Sequence, residues 1–180
     1  AINPENVNRY RAINNFEIVT NESVIDGVNV CVAMPVETIK NVNPAASLVL
    51  ELIYKEGSAY RDGKAFNNDM DRHGISLSVG NGSDELSAYA TCSLDEVGKA
   101  LDSLEEVIYN PNITEEKFNY AKSEIMERLS KLEKTPMEKL NGELFKNEYI
   151  GISASEMLDH LKNLTIDEVR TFQHQLLEAD

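Results

Sequence analysis

The side chains here that could hold a metal or move a proton are three histidines, two cysteines and a scatter of carboxylates. Zinc takes about three protein ligands from His, Cys, Asp or Glu. His73, His160 and His174 are far apart in the chain, and no two stand at i, i+4, so no helix offers a two-imidazole grip. His73 closes a helical stretch, where a cation suits the helix dipole. His160 and His174 sit beside leucines in amphipathic stretches and read as structural or solvated. Asp69 and Asp71, in NNDMDRHG, resemble a cation loop only superficially: the Gly and the distal Glu of a calcium loop are missing, so a solvated helix end is expected. Cys31 and Cys92 form no Cys-x-x-Cys and fall in apolar stretches, where a thiol behaves as a small hydrophobe; both are expected in the core. There is no Gly-x-Ser-x-Gly. Gly80-Asn81-Gly82 leads into a strand, not a helix, and is not a phosphate loop.

Glu51 is the remaining acid of interest. The stretch NPAASLVLELIYKEGS, residues 43–58, reads as a helix with Asn43 as N-cap, Pro44 as first helical residue and Gly57 as terminator. Nearly every position between is apolar, so the helix is expected to be buried on all sides, with Glu51 its one central carboxylate. Leu48, Glu51 and Leu52 stand at i, i+3, i+4 and share one face. A metallopeptidase would carry His, Glu and His there, two imidazoles gripping zinc while the carboxylate draws a proton from bound water. Here both gripping positions are leucine. The plainer reading is that Glu51 reaches a polar edge or a backbone donor, since a buried unpaired carboxylate would be costly.

The elements that must position this face can be read from periodicity. Residues 1–14 are polar with weak periodicity and read as a lead-in segment. Phe16 to Val19 and Val28 to Met34 read as strands, with Asp26-Gly27 as the turn between them and Pro35 as the stop. After the 43–58 helix comes a second, about 63–73, closed by Gly74. Ile75 to Val79 alternates as a strand, residues 80–83 read as a hairpin connection, and Glu85 to Cys92 alternates again. The second half is helical. Ser93…Glu96, Thr135…Glu138, Ser153…Glu156 and Thr165…Glu168 have the spacing of capping boxes. Thr114 should cap a helix over about 115–133, with the stripe Phe118, Ile125, Met126, Leu129, Leu132. The order ββααββ followed by helices predicts an α+β two-layer sandwich, an antiparallel sheet covered on one face by helices.

The bulk numbers agree with one domain. A chain of 180 residues buries about 70% of its unfolded surface on folding and so holds a real core. Composition is ordinary, 42% hydrophobic and 27% charged, with no run of about 18 apolar residues to span a membrane. The formal charge of −14 and the absence of a basic patch argue against nucleic acid or an anionic membrane surface as partner. No signal-peptide pattern stands at the start, yet the chain begins at Ala1 without Met, so cytoplasm and periplasm are both compatible.

From Phe16 to the end the chain resembles a domain of the pitrilysin/insulinase family of zinc metallopeptidases, the inverzincins, which include the mitochondrial processing peptidase. That family's pattern runs strand, strand, a His-x-x-Glu-His helix, a "Leu-Phe-x-Gly-Thr" exit, a helix ending "Leu-Asp-x-Leu-Gly", then a hairpin. This chain supplies IYKEGS at 53–58, DMDRHGISLSV at 69–79, LSAYATCSLDEVGKALDSLEEVIYNPNITEEKF at 86–118 and LKNLTIDEVRTF at 161–172. The resemblance places the first zinc His on Leu48, the second on Leu52, the base on Glu51, and the third ligand, a Glu in the long helix, on Arg128 or close to it. It therefore implies the fold and denies the catalysis: leucine has no lone pair, and Arg128 would repel a dication. On this reading there are no catalytic or metal residues, only vestigial positions. Zinc belongs to a catalytic sibling domain or subunit, the partner with which this domain would enclose peptide substrates. Residues 15–180 form the single inactive domain, and the family's final strand is absent after Asp180, which suggests a piece of a longer multi-domain chain. Two other readings stand beside this one. One is an active zinc peptidase with ligands from elsewhere, such as a sibling domain or a set including His73. The other is a protein-interaction scaffold, like the peptidase-derived core subunits of respiratory complexes.

Overall fold

A computed structural model of the chain describes residues 7–11, 17–22, 27–36, 39, 41–82, 85–132 and 152–178. Among the described residues five strands form one antiparallel sheet: β1 Val7–Arg11, β2 Glu17–Glu22, β3 Val28–Pro35, β4 Ser76–Asn81 and β5 Glu85–Cys92, in the order β1-β2-β3-β5-β4. The register is set around β3, where Val32 lies opposite Ile18 of β2 and Val30 opposite Ala90 of β5. Leu77 of β4 also meets Ala90. Val28, Val30, Val32 and Met34 are buried, as are Leu86, Ala88, Ala90 and Cys92, so the period-two pattern turns one face of β3 and β5 toward the helices.

That face is covered by α1 Ala45–Tyr54, α2 Gly63–Arg72, α3 Val97–Tyr109, α4 Glu115–Leu132, α5 Ala154–Asn163 and α6 Ile166–Glu178. Helix α1 is central to the layer: it contacts β4, α4, α5 and α6. Leu50, Ile53, Leu86, Ile108, Ile125, Leu161 and Leu176 are fully buried, each worth about 1.5–3 kcal/mol relative to exposure. The α+β two-layer sandwich is therefore present, and no helix among the described residues is long and apolar enough to cross a membrane.

Several elements depart from expectation. The stretch read as a lead-in contains β1, so the order opens βββ; a charged, polar edge strand such as VNRYR needs no apolar period, because the backbone ladder to β2 holds it. Gly80 and Asn81 belong to β4, opposite Ser87 and Leu86, and the turn is closed later, by the Gly82 N–H donating to Glu85 O at 2.8 Å. Ser93 makes no side-chain cap; a 3₁₀ turn, Leu94–Glu96, precedes α3, and the Glu96 carboxylate faces His73 instead. The α4 stripe gains Ala121, and Leu132 ends in solvent. Ser153 with Glu156 and Thr165 with Glu168 do form reciprocal capping boxes. Thr114 Oγ1 accepts the Lys117 N–H. Phe16, Asp26 and the Thr135…Glu138 spacing lie outside the described residues.

Candidate functional site

Helix α1 starts where its sequence dictates. Asn43 Oδ1 accepts the Ala45 N–H at 3.0 Å, and Asn43 O accepts the Ala46 N–H at 2.9 Å. Pro44 already has helical φ, −61°. The same Asn43 donates through Nδ2 to His160 O at 2.9 Å, so one side chain caps α1 and pins it to α5. Ala45, Ala46, Val49, Leu50 and Ile53 form the buried side. The opposite side is not buried, contrary to the all-round burial expected from composition: Leu48, Glu51 and Leu52 are only partly covered, and Lys55 is exposed. Leu48 and Leu52 on that face pack against the core from its margin. Glu51 Oε1 accepts from Lys55 Nζ at 2.6 Å, the helical i, i+4 pair in its favourable order.

The exit of α1 is a rigid turn. Gly57 has φ +84°, and a Cβ there would lie 2.4 Å from Arg61 O, so only glycine fits. Buried Ser58 accepts the Tyr60 and Arg61 N–H groups, both at 3.1 Å, and donates to Glu106 Oε1 at 2.5 Å. Arg61 forks onto Glu106 of α3, Nε to Oε1 at 2.9 Å and Nη2 to Oε2 at 2.5 Å, and reaches Asp69 of α2 through Nη1 at 2.5 Å. Lys99 also meets Asp69, at 2.7 Å, and the Arg61 guanidinium lies 4.8 Å from the Phe66 ring centre. Burial pushes Glu106 up, but hydrogen bonds from Arg61 and Ser58 and the charges of Arg61 and Lys99 outweigh it and hold the carboxyl below its ordinary value. Asp69 is lowered too, first by the hydrogen bond from Lys99, then against burial by Arg61. Sequence reasoning missed this five-residue latch. Partners 45 and 48 positions apart leave no periodic trace.

The other sequence candidates are dispersed. Arg128 is exposed on α4, beside Glu127, which pairs with Lys131 at 2.6 Å. His73 caps the end of α2, its Nδ1 3.0 Å from Glu96. Asp71, His160 and His174 are exposed. Cys92 is buried, and burial pushes its thiol up. Cys31, expected in the core, is half-buried on the sheet's other face, because its odd register position points away from the helices. Among the described residues no three His, Cys, Asp or Glu side chains are grouped to hold a metal. Leu48 and Leu52 present hydrocarbon where zinc takes nitrogen, sulfur or carboxylate oxygen, so the Leu48–Glu51–Leu52 face does not fit that ion.

Beyond Lys55 lies a cavity of about 250 Å³, walled by Phe66, Leu77, Val79 and Leu104, with Lys55 and Asn67 on its lining.

Comparison with known proteins places these features in a lineage. A profile of the insulinase family (peptidase family M16) matches residues 37–158. No curated protein matches. Among solved structures, a protease from Helicobacter pylori superposes with a TM-score of 0.79 at 15% identity, over 95% of this chain and 43% of that one. The inactive domain of a peptidase M16 from Pseudomonas fluorescens gives 0.78 at 16% identity, over 93% and 43%. A mutant of the ferredoxin protease FusC in complex with Arabidopsis ferredoxin gives 0.68 at 18% identity, over 98% and 21%. The chain thus spans under half the length of each of these relatives.

Proposed function

The chain belongs to the insulinase family of peptidases, family M16, and from that premise we propose that it is a non-catalytic member domain that helps enclose a peptide chamber with a catalytic sibling domain or subunit. One observation carries this reading: the partly open face of α1 keeps Glu51 but flanks it with Leu48 and Leu52. Without a metal to lower the pKa of a bound water, a carboxylate base faces a far weaker acid. Glu51 is moreover engaged by Lys55, and the family resemblance puts the third ligand on Arg128, an exposed cation, or close to it. The likeness to an M16 inactive domain and to a protease bound to a whole protein, ferredoxin, supports a role by contact with polypeptide.

The test is metal analysis with reconstitution. The purified chain should carry no stoichiometric zinc and cleave no unfolded peptide, and adding it to a family member with an intact His-x-x-Glu-His should raise that enzyme's turnover of long peptides. Stoichiometric zinc, with hydrolysis that Glu51→Gln abolishes, would replace this reading by an active peptidase drawing ligands from elsewhere.

A further inference from the structure

The cavity at the end of α1 has two unlike parts. Its walls are hydrocarbon, from Phe66, Leu77, Val79 and Leu104, and its volume is about 250 Å³. A void of about 150 Å³ with such walls already admits a benzene ring. This one therefore takes one aromatic or branched aliphatic group, and it is too small for a nucleotide or a prosthetic group. Three exposed polar residues, Lys55, Asn67 and Ser78, are on the lining, and buried Tyr54 is on it too.

The lining is charged in a particular sense. Lys55 Nζ is held 2.6 Å from Glu51 Oε1, and the side chains are 41% and 13% exposed respectively. Lys55 lines the cavity and Glu51 does not. Lys55 thus brings a cationic side chain to the lining, its ammonium held by an acid that lies off it. An ammonium has three N–H donors; Glu51 takes one, and the others remain for a ligand. Lys55 stands where the family's "Leu-Phe-x-Gly-Thr" exit has Phe, so this charge is a departure of this chain from that pattern.

We propose that the cavity binds a single apolar group ending in a carboxylate, the hydrocarbon among Phe66, Leu77, Val79 and Leu104 and the carboxylate on Lys55 Nζ with the Asn67 amide beside it. Two sources share this chemistry: the C-terminal Phe or Leu of a peptide, and a free arylalkanoic or branched-chain acid. The site needs no metal and no sibling domain. Its failure would leave the chamber reading standing, and failure of the reconstitution assay would leave this site standing.

The full chain is titrated calorimetrically with a short peptide ending in Phe, with the C-terminal amide of that peptide, and with 3-phenylpropionate. The free-acid peptide or the free acid should bind saturably, and amidation should weaken the peptide about tenfold or more, the worth of a hydrogen bond to a charged group. Lys55→Gln, a change at an exposed side chain, should impose the same loss on the free acids and leave the amide unchanged. Val79→Phe, which fills the cavity, should weaken every ligand. Tighter binding of the peptide assigns the site to peptide C-termini; tighter binding of 3-phenylpropionate assigns it to free acids. Equal affinity for acid and amide, indifference to Lys55→Gln, or no saturable binding of any ligand would overturn the proposal.

Discussion

A single hydroxyl shows how far side-chain chemistry here is settled by partners and how far by position. Ser103 of α3 is 1% exposed, and its Oγ has no hydrogen-bond partner. Ser58, equally buried, makes three hydrogen bonds. Burying a hydroxyl without a partner costs free energy that alanine would not incur, so Ser103→Ala should raise stability by about 1 kcal/mol. Urea denaturation of the two proteins reads this directly; a lower midpoint for Ser103→Ala would mean that the hydroxyl is satisfied. Sequence could not distinguish the two serines, since the partners of Ser58 include Glu106, 48 positions away. The same limit applied to Glu51. Its i, i+3, i+4 relation to Leu48 and Leu52 was legible from spacing alone, because helix geometry fixes it. That the face is only partly covered, and that Lys55 engages the acid, depends on which neighbours pack against α1, and spacing does not carry that. Arg128 illustrates the converse: its type was read from the sequence, while its exposure is set by the roll of α4 against α1.

Elements were legible where local chemistry decides them and illegible where the backbone ladder or distant partners do. The caps of α1, α5 and α6 follow from Asn43, Ser153 and Thr165, whose side chains reach the first turn of their own helix. Edge strand β1 and the last two residues of β4 are held by main-chain pairing, which any residue type can supply, so their sequences gave no signal. The latch that joins the α1 exit, α2 and α3 was illegible for the second reason. Its energetics are nonetheless predictable. Glu106 titrates below its ordinary value of 4.5 in the folded chain. A depressed folded value means that the unfolded chain binds the proton more readily, so the contribution is complete above that ordinary value and is lost as pH falls through the folded one. Below that ordinary value the denaturant midpoint should therefore lose this contribution with acid, and Glu106→Gln should remove part of that loss while lowering the midpoint at neutral pH. An unchanged acid limb in Glu106→Gln would assign the acid loss to other carboxylates, Asp69 first among them.

The whole molecule carries 31 acids against 17 bases, and that excess acts on stability and on recognition at once. Like charges on a compact body repel, and unfolding spreads them apart, so net charge far from zero destabilises the folded state. Salt opposes this by screening, and it also weakens attractive pairs. The exposed pairs that would lose most, Glu127 with Lys131 and Asp159 with Lys162, are of the kind that contribute little. The Arg61 latch is three-quarters covered and is screened less. Repulsion should therefore win: raising sodium chloride from about 10 mM to about 200 mM, across the range where the screening length contracts from about 30 Å to under 10 Å, should raise the denaturation midpoint at neutral pH. At the acid pH where the charges balance, the same salt step should leave the midpoint unchanged or lower it, because only the attractive pairs then remain to be screened. The field also works against the carboxylate proposed for the cavity by Lys55, so that ligand should bind faster as salt rises at neutral pH, whereas a basic peptide drawn toward the acidic surface should bind more slowly. Salt dependences of opposite sign for two peptides of equal length, one acidic and one basic, would report the field of the whole chain, and Lys55→Gln, which should keep both signs while weakening only the free-acid ligand, would set the local charge of Lys55 apart from it.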